Sequence, residues 1–343
     1  MTETTEQRTF RGVPLRRTPD GRTLMVSDWL EKGALAPIVR HRPPLWVPPT
    51  PATLREIMDR VHVPTMNWAG GWQPPVGTPM TDVDTNAAYL SAAASATFAH
   101  GPLEHTHPIG PEDFILPGYY LIDVHPWQLS APGSPLGSQA LEGVDRVWVT
   151  HATYRLIRDL TYGTNQYPGG HWPDATVHDN WVSQTHFRFY NSRNTGWTDV
   201  MRDLRTQYIE EGDRDGYEAL KLGYSQAQQM WMTPPDPKGT PKNKCQKRNK
   251  AYRPDWSHTV RSQTAMNLWR RAYLAHLTGS GHAPVAVGGA GHAVDGMAFV
   301  TRDLTALLAH PNTPLRLDAT RKRLGTLRMT RRYFAGQDEA DDA

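Results

Sequence analysis

The chain has 343 residues, 38% of them hydrophobic, and its formal net charge is +3. This length allows one large domain or two of medium size. The single cysteine excludes an internal disulfide framework and favours a reducing compartment. No stretch approaches the roughly 18 uninterrupted apolar residues of a membrane span, and the start MTETTEQRTF lacks the pattern of a signal peptide. We therefore expect a cytoplasmic protein that does not associate with a membrane.

Hydrophobic periodicity and breaker residues divide the chain into alternating helices and strands. The first 50 residues are rich in proline and arginine and show little periodicity. The later pattern predicts helices over 51–62, 85–98, 151–160, 198–211, 215–231 and 259–278. It predicts strands over 80–84, 118–124, 147–150 and 184–190, a Gly/Pro turn over 68–77, and a hairpin of 283–287 with 293–301. Helices packed against a sheet in this way give the α+β class.

Two aspartates lie at or beside predicted strands. Asp84 ends the first of these strands and an Ala-rich helix follows at once, whereas Asp295 lies in HAVDGMAFV near the second hairpin strand. Carboxylates on neighbouring strands can hold a pair of Mg²⁺ ions, which prefer hard oxygen ligands. Aspartates that cap turns are also common at strand ends, so the pattern alone leaves both interpretations open.

Several short blocks, in order, resemble motifs of family B DNA polymerases. DTNAAY (84–89) is similar to motif A, and WAGG (68–71) just before it resembles the YxGG motif of the protein-primed subgroup, with Trp for Tyr. KLGYSQA (221–227) and GHAVDGMAF (291–299) stand where motifs B and C are expected. RLGTLRMTRRY (323–333) resembles the Leu-Gly segment and the Lys-x-Tyr motif. The resemblance covers roughly residues 65–335.

The resemblance implies a palm, built from an antiparallel sheet with helices, and helical fingers. It also divides the chain into segments, with no exonuclease domain. These are an N-terminal Pro/Arg-rich region with a short helix (1–64), a first palm part with motif A and an insertion (65–197), fingers-like helices (198–231), a basic insertion (232–258), a second palm part with motif C (259–312), and a truncated thumb-like basic segment with an acidic tail (313–343).

The activity implied by the resemblance is template-dependent addition of dNMP to a primer 3′-hydroxyl, without proofreading, for a plasmid or another mobile element. Asp84 and Asp295 would hold two Mg²⁺ ions, with Mn²⁺ as an alternative, and Lys221 would meet the triphosphate. Tyr89 would lie under the incoming sugar and exclude a 2′-hydroxyl by clash, while Asn86 and Tyr224 would line the nucleotide site. Ordinary packing for Tyr89 and a solvated helix charge for Lys221 remain the alternatives.

The expected partners are primer-template DNA, dNTPs and a terminal or priming protein. Basic runs between 238 and 253 and between 316 and 332, with aromatics nearby, suit backbone contact and base stacking. Solvated charged loops are the alternative interpretation of both runs. The residues that we expect to contact DNA are Trp68, Gly70, Gly71, Lys247, Arg248, Lys250, Arg331 and Tyr333.

Departures from the family pattern favour a second function. Ala293 stands at the first aspartate position of motif C, and Ser225 and Gln228 replace the asparagine and tyrosine of motif B. Fewer carboxylates and a looser nucleotide pocket both weaken phosphoryl transfer, which depends mainly on positioning and charge. The alternative is therefore a catalytically weak or inactive polymerase-fold protein that binds DNA as a replication accessory or regulator.

Overall fold

The fold is known from a computed structural model. It describes residues 9–10, 13–14, 52–66, 68–69, 74–106, 115–129, 132–137, 141–165, 168–188, 197–234, 252–277, 286–287, 296–301, 304, 308 and 315–336. Among these residues, every helix is too short or too polar to cross a membrane.

The helices agree with the predicted ones apart from their ends, and the second helix stops at Ser95 rather than at 98 because Phe98 lies in a short strand. They are α1 (Ala52–Arg60), α2 (Ala88–Ser95), α3 (His151–Tyr162), α4 (Trp197–Glu211), α5 (Arg214–Met232) and α6 (Pro254–Leu277). The sequence predicts the second helix from residue 85, but Ala87 has φ 48° and ψ 53°, in the left-handed region, so the chain turns before the helix begins. The last helix begins at Pro254 rather than at 259, because proline is tolerated in a first helical turn.

The strands in chain order are β1 (Thr9–Phe10), β2 (Val13–Pro14), β3 (Trp68–Ala69), β4 (Pro79–Thr85), β5 (Phe98–Ala99), β6 (Glu104–Thr106), β7 (Gly118–Asp123), β8 (Arg146–Thr150), β9 (Val177–Val182), β10 (His186–Phe187), β11 (Ala286–Val287), β12 (Gly296–Phe299) and β13 (Leu327–Phe334). Two predicted elements change, and β9 and β13 are strands that the sequence pattern does not predict. The predicted turn over 68–77 contains β3, and of the predicted strand 184–190 only β10 is a strand within the described residues.

A five-stranded antiparallel sheet has the order β13-β4-β12-β11-β3. The predicted hairpin is confirmed in its described part, because β11 pairs with β12 through Ala286–Ala298 and Val287–Met297. β4 has a partner on each side, β12 and β13. The strand that ends at the motif A aspartate is therefore held within the sheet and is not an edge.

A second antiparallel sheet, of order β6-β9-β7-β8, shares a core with the first. Val83 of β4, Tyr120 of β7 and Leu156 of α3 belong to one buried cluster, together with Trp269 of α6. Tyr120 stacks on Tyr154 with the ring centroids 4.7 Å apart. Mixed helices and antiparallel sheets are thus confirmed as the architecture.

A second core joins α2, α4, α5 and the first turns of α6. Phe98, Trp231 and Trp256 meet edge to face, with centroids 5.7–6.5 Å apart. α6 contributes to both cores and is buried on nearly every side. A helix surrounded in this way fixes its neighbours more firmly than a surface helix with a single apolar face.

A buried polar junction ties the start of α6 to β5. Arg253 donates to both carboxylate oxygens of Asp255 at 2.9 and 2.6 Å and to the Ala99 carbonyl at 3.1 Å. Tyr119 Oη and His258 Nδ1 are 2.8 Å apart, and burial lowers the pKa of His258 to about 4. This histidine is therefore neutral at pH 7, and Arg253–Asp255 is the buried ion pair of the junction.

Candidate active site

β4 presents two carboxylates on one face of the five-stranded sheet. Side chains alternate along a strand, so Asp82 and Asp84 point away from Val83, which lies in the main core. In an antiparallel sheet, residues directly opposite each other share a face. The neighbours of Asp84 on that face are therefore Gly296 on β12 and Arg328 on β13.

Asp84 is held by a single arginine and retains one free oxygen. Arg328 Nη2 lies 2.8 Å from Asp84 Oδ2, and the two side chains are 27% and 16% exposed. Asp84 Oδ1 is buried and has no hydrogen-bond partner within the described part of the chain. An orphaned buried oxygen beside a glycine without a side chain fits a hard cation such as Mg²⁺.

Asp82 is paired differently. It is 4% exposed, and Tyr333 Oη donates to its Oδ1 at 3.3 Å. Burial, and then the Asp82 charge, raise the pKa of Tyr333 to about 12, so the tyrosine stays protonated and able to donate. The guanidinium carbon of Arg331 lies 4.5 Å from the centre of the Tyr333 ring. The Arg-x-Tyr block (331–333) therefore contacts the face of the five-stranded sheet that carries Asp82 and Asp84.

The turn after Asp84 is fastened to the segment before β13. Asn86 donates its backbone N–H to the Thr326 carbonyl at 2.7 Å and its side-chain amide to Thr326 Oγ1 at 3.0 Å. Gly325 has φ 72°, and a Cβ there would lie 2.3 Å from Ser91 Oγ. Only glycine permits this approach without a shift. The Leu-Gly segment therefore closes against α2.

A crevice beside this turn is bounded by α2 and α6. It is lined by Thr85, Ala88, Ser91, Thr264, Asn267, Leu268 and Arg271. Arg271 donates to Thr85 Oγ1 at 3.2 Å and to the Gly325 carbonyl, and burial lowers the pKa of its guanidinium. The crevice places polar groups and one cation next to the end of β4.

The other predicted nucleotide-site residues lie on helices. Tyr89, in the first turn of α2, is half-buried against the second core. Lys221 is exposed on α5, with its Nζ 4.0 Å from Glu218 Oε2. Tyr224, one turn further on, is 6% exposed within the second core. Tyr224 is thus buried among apolar side chains, whereas Lys221 faces solvent.

Several predicted site residues lie outside the described part of the chain. They are Asp295, Gly70, Gly71, Lys247, Arg248 and Lys250, and for Trp68 only the strand pairing of its backbone is described. Gly296, the chain neighbour of Asp295, pairs with Asp84 across β12 and β4. The predicted pairing of the two aspartates as metal ligands stays a prediction.

Sequence reasoning missed two cations of this site. In the sequence, Arg328 belongs to the basic run between 316 and 332, and Arg271 belongs to the helix predicted over 259–278. Simple alternation along the strand does not reveal Arg328, because a β-bulge between Met329 and Arg331 interrupts it, and its partner Asp84 lies 244 residues away. Only the strand pairing shows that contact.

The fold is similar to solved structures of Phi29 DNA polymerase. The complex with primer-template DNA, a post-translocation binary complex, matches with a TM-score of 0.55 and 11% identity, over 90% of this chain and 52% of that chain. The ternary complex with primer-template DNA and incoming nucleotide substrates has a TM-score of 0.55, and the complex with single-stranded DNA has one of 0.57, at the same identity and coverage. This chain thus spans 52% of the length of the polymerase.

Other comparisons set the limit of this similarity. No protein-family model matches the chain, and no curated protein matches its sequence. A likeness at 11% identity shows a shared fold and no more. The distant polymerase-like fold implied by the sequence blocks is confirmed, and the division into palm and fingers stays a prediction.

Proposed function

We propose, from this shared fold, that the chain is a family B-like nucleotidyltransferase of the protein-primed type, which adds dNMP to a primer 3′-hydroxyl for a plasmid or another mobile element. The observation that carries the proposal is Asp84 Oδ1, which is buried, has no hydrogen-bond partner among the described residues, and lies near the end of β4 opposite Gly296 of β12. Motif A at this strand end and the Arg-x-Tyr block on β13 support it. Primer-template DNA, dNTPs and a terminal or priming protein are the proposed partners.

Asp84 and Asp295 are the proposed ligands of Mg²⁺. When bound, divalent cations supply an activated hydroxyl and offset the charge of the triphosphate. Asp84 contributes a carboxylate whose free oxygen is already desolvated. In a site that excludes water, such a group interacts with positive charge far more strongly than it would in bulk solvent.

The remaining roles fall on residues around β4 and α5. Lys221 is the proposed triphosphate contact, and its exposure leaves it accessible to a nucleotide. Tyr89 is the proposed floor of the sugar site. Asn86 is better suited to positioning, since its amide holds the turn after Asp84 against Thr326. Arg331 and Tyr333 are proposed to contact the primer strand beside Asp82.

Primer extension tests this function directly. Purified protein is mixed with a labelled primer-template and dNTPs, with Mg²⁺ and then with Mn²⁺. We expect incorporation by the native chain and its loss in Asp295→Asn, because that change removes one of the two proposed metal carboxylates. Incorporation that persists in Asp295→Asn contradicts its proposed role. Failure with both metals, together with retention of DNA on a gel, favours the second function.

The second candidate is a DNA-binding descendant without chemistry, and one contact favours it. Arg328 Nη2 lies 2.8 Å from Asp84 Oδ2 and so occupies one of the two carboxylate oxygens that could bind a metal ion. The Arg328 guanidinium neutralises Asp84 and stabilises the sheet without a bound metal ion. In that case the acidic group is part of the fold, and basic and aromatic side chains carry the function.

Replacing Arg328 with glutamine is expected to tighten Mn²⁺ binding about tenfold, since the guanidinium no longer competes for Asp84 Oδ2. A charge a few ångströms away in a half-exposed site is worth on the order of 1–2 kcal/mol, and 1.4 kcal/mol corresponds to tenfold. Electron paramagnetic resonance of free Mn²⁺ measures this without requiring activity. Arg146→Gln is the control, because Arg146 makes a similar cross-strand pair with Asp123 at 3.2 Å. Equal affinities in both variants would show that Arg328 does not compete with the metal.

A further inference from the structure

A cluster of arginines lies away from the carboxylates, where α3 meets α6 and the end of β10. Arg155 and Arg158 are on α3, Arg188 follows β10, and Arg270 is on α6. We name these four residues the arginine face. Arg155 and Arg188 are exposed, whereas Arg158 and Arg270 are half-buried.

Side-chain contacts bring the members of the arginine face together. Arg270 Nη2 lies 3.2 Å from Asp159 Oδ2, and Asp159 is adjacent to Arg158 along α3. Arg188 donates from Nε to Thr97 Oγ1 at 3.2 Å. His151, one turn before Arg155 on the same side of α3, is hydrogen-bonded to the backbone of Thr97. Arg155 and Arg158 are neighbours because they are three residues apart on α3, and Arg270 joins them through Asp159, which lies one turn after Arg155. Arg188 joins them through Thr97, beside His151.

The arginine face carries an excess of positive charge. Desolvation, and then the charge of Arg270, lower the pKa of Arg155. Of the four charged groups that act on Arg155, three are arginines and one is Asp159. Gathering like charges raises the free energy of the folded chain unless a polyanion binds there. An excess of guanidinium groups of this kind attracts the phosphates of such a ligand.

An exposed aromatic ring continues the same helix face. Tyr162 lies four residues after Arg158, and its side chain is 58% exposed. A large apolar ring in solvent contributes nothing to the core. Cations beside an exposed aromatic are the arrangement by which proteins hold single-stranded nucleic acid, with phosphates on the cations and a base on the ring.

We propose that the arginine face and Tyr162 bind single-stranded nucleic acid, by phosphate contacts to Arg155, Arg158, Arg188 and Arg270 and by base stacking on Tyr162. None of these residues belongs to the proposed catalytic or metal-binding set. The site therefore operates whether or not the chain adds nucleotides. It gives an unpaired strand a path over α3 and α6, separate from the carboxylate face of β4.

Anisotropy of fluorescein-labelled oligo(dT) tests this site in EDTA and without dNTPs, so chemistry plays no part. The double variant Arg155→Gln/Arg158→Gln is expected to bind about tenfold more weakly, with a salt slope smaller by about 1.4, since each lost contact to a single strand removes about 0.7. Tyr162→Ala is expected to bind about fivefold more weakly with an unchanged slope, because stacking carries no charge.

The matched control is Arg55→Gln/Arg60→Gln, which removes two exposed arginines from α1. Circular dichroism verifies that each variant is folded. The proposal is overturned when the arginine-face variant binds oligo(dT) as tightly as this control does. It is also overturned by a second pair of results: polyglutamate of equal charge displaces oligo(dT), and Tyr162→Ala does not change the affinity for oligo(dT). Those results together would show that the surface binds acidic polypeptides rather than nucleic acid. Failure of primer extension leaves this test unaffected.

Discussion

Replacing Asp84 with asparagine is expected to lower nucleotide incorporation by about 10³-fold or more while affinity for DNA changes little. The substitution keeps the shape of the side chain but removes the charge on its unpartnered, buried Oδ1. Metal and charge stabilisation in such sites supplies several kcal/mol, and each 1.36 kcal/mol is tenfold in rate. Single-turnover extension, with gel retention of the same primer-template, separates chemistry from binding.

The control for this experiment is Asp123→Asn. Asp123 on β7 makes a cross-strand pair with Arg146 on β8, as Asp84 does with Arg328, but it lies in the other sheet. Both substitutions remove an aspartate-arginine pair, so a general loss of stability affects the two variants alike. If incorporation and DNA retention fall together in Asp84→Asn, the Asp84 carboxylate is needed for folding. That result supports the interpretation of the chain as a non-catalytic DNA-binding protein.

Replacing Arg253 with methionine is expected to lower the free energy of unfolding by about 3–5 kcal/mol. Arg253 and Asp255 are 1% and 4% exposed, and the pair is bidentate. Removing one partner leaves a buried charge without compensation, which is the costly case for buried ion pairs. The Ala99 carbonyl also loses one of its two donors, the other being Trp256 Nε1 at 3.0 Å. Urea unfolding followed by circular dichroism measures the change.

Two further variants separate charge from packing. Arg253→Met/Asp255→Leu removes both charges and is expected to be more stable than Arg253→Met alone, because no buried charge is left. Arg60→Met breaks an exposed pair with Glu56 on α1 and is expected to cost less than about 1 kcal/mol. A double variant as unstable as the single one would show that the guanidinium acts through packing on Trp256, whose ring centre lies 4.8 Å away.

Asp84→Asn and Arg253→Met change residues that α6 links through a series of contacts. α6 begins at the Arg253 junction and reaches Thr85 and Gly325 through Arg271. A disturbed junction can therefore shift the end of β4 without any contact to Asp84. Positioning governs phosphoryl transfer, and small displacements reduce its rate by large factors. We accordingly expect Arg253→Met to lose activity beyond its loss of folded protein.

The sequence by itself determined the local elements and the order of the motifs. Alternation of apolar residues predicted β4, β7 and the β11–β12 hairpin, since side chains on a strand repeat every second residue. Local pattern also predicted a strand up to Asp84 with a helix directly after it, but β4 continues to Thr85 and the left-handed Ala87 delays the start of α2 to Ala88. These features depend on neighbours a few residues away, which the sequence displays directly.

Only the tertiary structure decided which charges meet. Arg328 is opposite Asp84 because β13 pairs with β4 in one register, and a slip of a single residue would have sent every side chain of β13 to the other face. The contact of Arg253 with the Ala99 carbonyl and the Arg270–Asp159 pair depend in the same way on how distant segments pack. Such contacts join residues far apart in the chain, where local pattern carries no information about distance.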